Sequence, residues 1–274
     1  MTSFTGKVAV VTGGGSGLHP QTPNLTVDSV TQNQESATFF QSQDRAVAYD
    51  TQTAKLAPIF DVLYFLMGRI LADLPADARF LCVGVGTGTE LIKLAQAFPH
   101  WHFTAVDPTA SMLNICRQKA EENGIMSRCT FHEGDLDSLP TTDAFDGATC
   151  LLVSQIFIQT EERGQFFQQI AARLRPLGYL VTSDLAADMS TPAYQSLVEI
   201  WQRSLQYAET PIGEIEKIRA ALGRGIAVLP PQEVAAIVAS SGFDAPVLFL
   251  QTLLSCAWYA KRTQISTDPK AMGK

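Results

Sequence analysis

Between Arg79 and Ser183 short apolar runs alternate with segments of helical periodicity, and this alternation limits the possible folds more than any other feature of the chain. The pattern predicts strands at Arg79–Val83, His102–Val106, Cys129–His132, Gly147–Val153 and Tyr179–Ser183. Helices are predicted between them at Glu90–Ala97, Ser111–Asn123 and Glu161–Leu174. Strands joined by such helices must run parallel, because a tight turn can only return the chain antiparallel. Val247–Leu250 and Leu253–Ala260, separated by Gln251-Thr252, add a terminal antiparallel hairpin. The expected fold is therefore α/β: a doubly wound, mostly parallel seven-stranded sheet with a reversed terminal strand.

The flanks follow other rules. Ala37–Tyr49 and Ala54–Leu74 read as helices, the second with Leu56, Ile59, Phe60, Leu63, Met67 and Ile70 at helical spacing. Pro192–Ala208 and Gly213–Leu222 read as inserted helices, and Pro231 opens another that Gly242 stops. Residues 19–36 are polar, broken by Pro20 and Pro23, and read as a linker. The expected organisation is a leader and linker at 1–36, one domain at 37–262 with a helical insertion at about 186–228, and a frayed tail at 263–274.

Charge and apolar patterning exclude several function classes. A net charge of −7 argues against a phosphate-neutralising face and hence against nucleic acid as partner. No apolar run is long enough to span a bilayer, and the start is not a secretory signal, so a cytoplasmic protein without membrane contact is expected. The five cysteines form no C-x-x-C and no metal-like cluster with the four histidines, so reduced buried thiols and no metal are expected.

Two glycine loops follow strand-like runs. Gly84-Val85-Gly86-Thr87-Gly88 lies between a strand and a helix, where glycine lets backbone approach a ligand and the helix N-terminus adds favourable dipoles. The next strand ends in Asp107, a carboxylate able to accept from both ribose hydroxyls of a nucleoside. Glu133-Gly134-Asp135-Leu136 follows the third strand, and its Asp135 can meet an adenine amino edge. Phe145-Asp146 introduces the fourth.

Taken in this order, Gly84–Gly88, Asp107, Gly134-Asp135 and Phe145-Asp146 resemble the class I S-adenosylmethionine (SAM)-dependent methyltransferases. Leu174-Arg-Pro-Leu-Gly-Tyr-Leu180 is similar to that family's L-x-P-G-G-x-L turn, and Ser241-Gly242-Phe243 to its approach to strand six. The resemblance implies SAM as cofactor, held by Gly84, Val85, Gly86, Gly88, Asp107, Pro108, Met112, Asp135, Leu136 and Val153. Three departures stand out. Cys82 occupies a position where many members carry an acid, Leu177 stands for a glycine and is expected to avoid positive φ, and Ser154-Gln155-Ile156 replaces a histidine-rich run.

Thr12-Gly13 to Gly17-Leu18 resembles the cofactor turn of short-chain dehydrogenases. His19-Pro20 interrupts it, and the family's Tyr-x-x-x-Lys pair has no counterpart at Tyr259-Ala-Lys261. It reads as a vestigial fragment.

Tyr49-Asp50 resembles a segment that folds over the methionine part of SAM, notably in carboxy-SAM synthases; an ordinary surface helix is the alternative reading. Trp201 is expected to pack on Leu197 and Leu205 in the insertion, where the resemblance puts an acceptor pocket. His132 is read as structural, and Arg224 as either an anion contact or a solvated loop residue. The implied activity is methyl transfer to a small molecule, with room for a homodimer and no declared catalytic base. A SAM-binding protein that does not methylate, carboxy-SAM synthase-like or regulatory, is the alternative. A dehydrogenase-type oxidoreductase is the third reading.

Overall fold

The structure is a computed structural model that describes residues 43–141 and 145–264. The dehydrogenase-like leader lies outside the described residues, as does the tail beyond 264. Two helices, α1 (Gln43–Lys55) and α2 (Ala57–Ile70), precede the sheet. Then come β1 (Arg79–Val83), α3 (Thr89–Ala97), β2 (His102–Asp107), α4 (Ala110–Glu122), β3 (Cys129–Glu133), β4 (Phe145–Leu151), α5 (Thr160–Arg173) and β5 (Leu174–Leu185). The insertion supplies α6 (Pro192–Tyr207) and α7 (Ile212–Ala221). Next are α8 (Pro231–Ser240) and the hairpin of β6 (Val247–Thr252) and β7 (Ser255–Lys261).

The seven strands pair in the order β3-β2-β1-β4-β5-β7-β6. β1 to β5 run parallel, and β7 lies antiparallel between β5 and β6. The chain moves from β1 outward to β3 and then returns to the other side of β1. That reversal opens a crevice above the carboxyl ends of β1 and β4, where open α/β sheets bind ligands.

Alternate residues of each strand serve opposite faces, so the sheet carries two cores. On one face Phe80, Cys82, Phe103 and Ala105 pack against Leu63 and Met67 of α2, Leu91 of α3 and Leu113 of α4. Phe98 and Trp101 stack there with centroids 3.8 Å apart. On the other, Leu81, Val83, Ala148 and Leu180 meet Phe166, Phe167 and Ile170 of α5 and Ile237 of α8. The insertion has a core of its own, with Trp201, Leu205, Ile215 and Ile218 against Leu185 and Leu254. Trp201 packs as expected, with Leu197 partly buried beside it.

Two local expectations are corrected. Leu177 takes φ +65°, not a negative φ, and is half exposed. Its amide donates to the Arg262 carbonyl at 3.0 Å, and this bond to the residue after β7 accompanies the left-handed conformation despite the side chain. The hairpin turn also falls later than Gln251-Thr252. Those residues extend β6, and Leu253-Leu254 turn instead, because Leu254 is wholly buried against the inserted helices.

Candidate functional site

The loop from β1 to α3 forms the floor of the crevice. Its amides at Gly84 and Val85 both donate to the Val106 carbonyl, at 2.8 and 3.1 Å, which keeps the loop close to β2. Gly84 (φ +65°) leaves no room for a side chain: a Cβ would lie 2.5 Å from Cγ2 of Val153. Gly86 (φ +53°) instead borders open space, with nothing within 4 Å of where a Cβ would stand. The two glycines therefore serve different ends. One lets β1 and β4 loops touch, and the other leaves backbone uncovered.

Asp107, only 5% exposed, fastens this floor. One carboxylate oxygen accepts the Gly86 amide at 2.9 Å and the other the Thr109 amide at 2.8 Å. Each oxygen keeps further acceptor capacity toward the crevice. Burial raises the Asp107 pKa, and the two amide bonds oppose that rise.

A cavity opens here between the carboxyl ends of β1, β2 and β4. It brings together Gly84, Asp107, Pro108, Asp135, Leu136 and Val153 of the expected cofactor set. Phe157, Phe166 and Gln169 line the same cavity and were not in the expected cofactor set; they come from the segment after β4 and from α5, far in sequence from the glycine loop. Val85, Gly88 and Met112 stand apart from it. Val85 packs in the α2–α4 core, Met112 is 5% exposed, and Gly88 sits against Cys116, 2.3 Å from Sγ to a Cβ position. These three shape the loop from below. Asp146 is also remote, at the amino end of β4, where it accepts the Arg79 amide at 2.8 Å and pairs with Arg175.

α1 is strapped over the loop. Asp50 accepts from the Thr87 hydroxyl at 2.7 Å and pairs with Lys119 of α4 at 2.6 Å, while Lys119 also reaches the Thr89 hydroxyl. Tyr49, one residue earlier, feels the charges of Asp50, Asp107 and Glu90, and its phenol pKa is raised chiefly by burial. Glu90 itself lies under the loop. Its carboxylate accepts from the Thr149 hydroxyl at 2.7 Å and from the Cys82 thiol, and burial pushes its pKa up to about 7.

A second buried polar group underlies the other wall. Arg163 pairs with Asp184 at 2.9 Å, both fully buried, and Ser154 bridges them. Gln155 accepts from the Leu185 amide with its side chain and from the Ala227 amide with its carbonyl, both at 2.7 Å. The turn after β4 is thus tied to β5 and to the insertion. Only the replacement of the usual histidine run by Ser154-Gln155 hinted at this in the sequence.

Residues 80–178 match a family model described as a methyltransferase domain. The chain is 26% identical over 218 residues to the carboxy-S-adenosyl-L-methionine synthase of Campylobacter hominis, covering 79% of this chain and 91% of that protein. It is 27% identical over 186 residues to the biotin biosynthesis bifunctional protein BioHC of Teredinibacter turnerae, covering 62% of this chain but only 31% of the relative. Among solved structures, human N-acetylserotonin methyltransferase in complex with SAM superposes with a TM-score of 0.58 at 14% identity. That match covers 83% of this chain and 59% of the other. PigF with SAH gives the same TM-score at 18% identity, over 82% of this chain and 61% of the other. The described residues thus have the methyltransferase-like α/β fold, and the segment from β1 into β5 carries the methyltransferase domain match.

Proposed function

We propose that the protein is a SAM-dependent methyltransferase acting on a small molecule. The observation that carries this reading is the convergence of Gly84, Asp107, Asp135 and Val153 on one cavity at the topological switch point, with uncovered backbone at Gly86, whose amide is bonded to Asp107. SAM fits these residues. Asp107 would accept from the ribose hydroxyls with the acceptor positions that Gly86 and Thr109 leave open, and Asp135 would meet the adenine amino edge.

When bound, SAM supplies an already activated methyl group on its sulfonium. The chain's own task is then to orient donor and acceptor in line and to exclude water. α1 borders one side of the crevice through Asp50, and on the other side Gln155 ties the turn after β4 to β5 at Leu185 and to the segment after α7 at Ala227. A general base is needed only if the acceptor loses a proton during transfer.

Mass spectrometry of nucleosides co-purifying with the full chain tests the reading. SAM or S-adenosylhomocysteine is expected, and calorimetry should show SAM binding without NADP binding. Binding of NADP alone would overturn it. A carboxylated SAM derivative in the same spectrum would instead favour a carboxy-SAM synthase-like role. That second reading is supported by the match over most of the Campylobacter relative and by the position of Tyr49-Asp50 over the loop.

A further inference from the structure

Glu90 is a buried carboxylate with no positive partner among the described residues. It opens α3 just after the glycine loop and is 6% exposed. Its partners are neutral: the Thr149 hydroxyl on β4 and the Cys82 thiol on β1, both near the carboxyl ends of those strands. The other groups close enough to sense its charge are the Tyr49 phenol of α1, the Tyr64 phenol of α2, the Cys116 thiol of α4 and the Cys150 thiol of β4. Asp50 and Asp107, the nearby charged groups that also act on Tyr49, are anionic. Lys119, the nearby cation, is engaged by Asp50 and Thr89. Among the described residues no cationic side chain pairs with Glu90.

An ionised carboxylate buried among hydroxyls and thiols is costly, and a core needing only a hydrogen-bond acceptor there could use glutamine. The position is explained if a cation arrives with the ligand. We propose that Glu90 is the counter-charge for the ammonium of the methionyl group of bound SAM. This rests on the SAM reading above. Of the two positive centres in SAM, the ammonium fits better: it brings N–H donors for the carboxylate oxygens, whereas the sulfonium brings none. The sulfonium must also face the acceptor, while Glu90 lies on the α1–α2 side of the sheet, away from the inserted helices. The elevated pKa of Glu90 agrees with this, since the free site holds a proton that a cation would displace.

The test is calorimetric titration of the full chain and of Glu90→Gln with SAM, S-adenosylhomocysteine and 5′-methylthioadenosine at several pH values from 5.5 to 7.5. Methylthioadenosine keeps the adenine and ribose contacts, including those to Asp107, but has no ammonium. Wild-type affinity for SAM and S-adenosylhomocysteine is expected to fall about tenfold or more toward pH 5.5, as Glu90 protonates. Glu90→Gln should be about tenfold weaker at pH 7.5 and nearly flat below it, with methylthioadenosine unaffected by the substitution. Equal weakening of methylthioadenosine would indicate a structural role and overturn the proposal, as would loss confined to SAM, which would point to the sulfonium. If Glu90→Gln did not fold, parallel wild-type pH profiles for S-adenosylhomocysteine and methylthioadenosine would overturn it. Failure of all three ligands to bind the wild type would remove the SAM reading itself, and the Glu90 assignment with it.

Discussion

Two single residues set measurable terms in stability. Burial raises the pKa of Glu90 from its ordinary 4.5 to about 7, so the folded chain keeps a proton that the unfolded chain releases. The sign follows from linkage: the free protein loses stability from this group as pH rises from about 4.5 to about 7, by up to about 3 kcal/mol. Glu90→Gln has no such dependence. Chemical denaturation at pH 5 and pH 8 should therefore show the variant gaining on the wild type at the higher pH; an unchanged gap would contradict the burial account. Leu177 offers a simpler test. A left-handed leucine costs about 1–2 kcal/mol, and glycine returns about half of that gain through its freer unfolded state. Leu177→Gly should stabilise by up to about 1 kcal/mol, read as an increased denaturation midpoint at unchanged m-value.

At the level of elements, the glycine loop and α1 act together. The loop is held from below by Asp107 of β2 and from above by Asp50 of α1 through Thr87, so neither element alone fixes it. Gly86 is the one loop glycine whose Cβ position is open, which makes it the clean probe of ligand approach. Gly86→Val should fold, because nothing in the protein opposes the added side chain, at a strain cost of about 1–3 kcal/mol from its positive φ. The upward shift in Tm on adding SAM, present in the parent, should be lost. A retained shift would place the cofactor elsewhere. Asp50→Ala probes the strap. It removes both the Thr87 bond and the Lys119 pair, and it should weaken SAM binding while leaving the sheet core, which α1 barely enters, intact.

Across the whole molecule, the described residues form a continuous sheet with an inserted helical cap. Separate hydrophobic clusters serve its two faces and the cap, and Leu185 and Leu254 link the cap core to the end of β5 and the β6–β7 turn. Cap and crevice are further joined at Gln155, so a change in the cap can reach the cofactor wall through Val153. The seven strands and the clusters described above are built from residues within 43–264. Deleting them should leave a cooperative thermal transition and SAM affinity within about threefold of the parent by calorimetry, a difference of less than 1 kcal/mol. Loss of folding would contradict the reading of that segment as a leader.

The alternation from Arg79 to Ser183 determined the sheet class, since helices of that length between apolar strands permit only parallel crossovers. Strand β1 was legible to the residue, and Gly84, Asp107 and Asp135 could be found because spacing along the chain places them at strand ends. The fates of Val85, Gly88 and Met112 could not be read that way: whether a loop side chain faces crevice or core depends on which helix packs behind it. The φ of Leu177 could not be read for a related reason, because its backbone bond goes to Arg262, a distant segment at the end of β7. Phe157, Phe166 and Gln169 looked like ordinary helix and loop residues until the crossover brought them beside Asp135. Glu90 is the clearest case. Its sequence neighbours mark it as a first-turn helix acid favoured by the dipole, and only the packing of α3 onto β1 and β4 buries it beside Cys82 and Thr149, with no cation paired to it among the described residues.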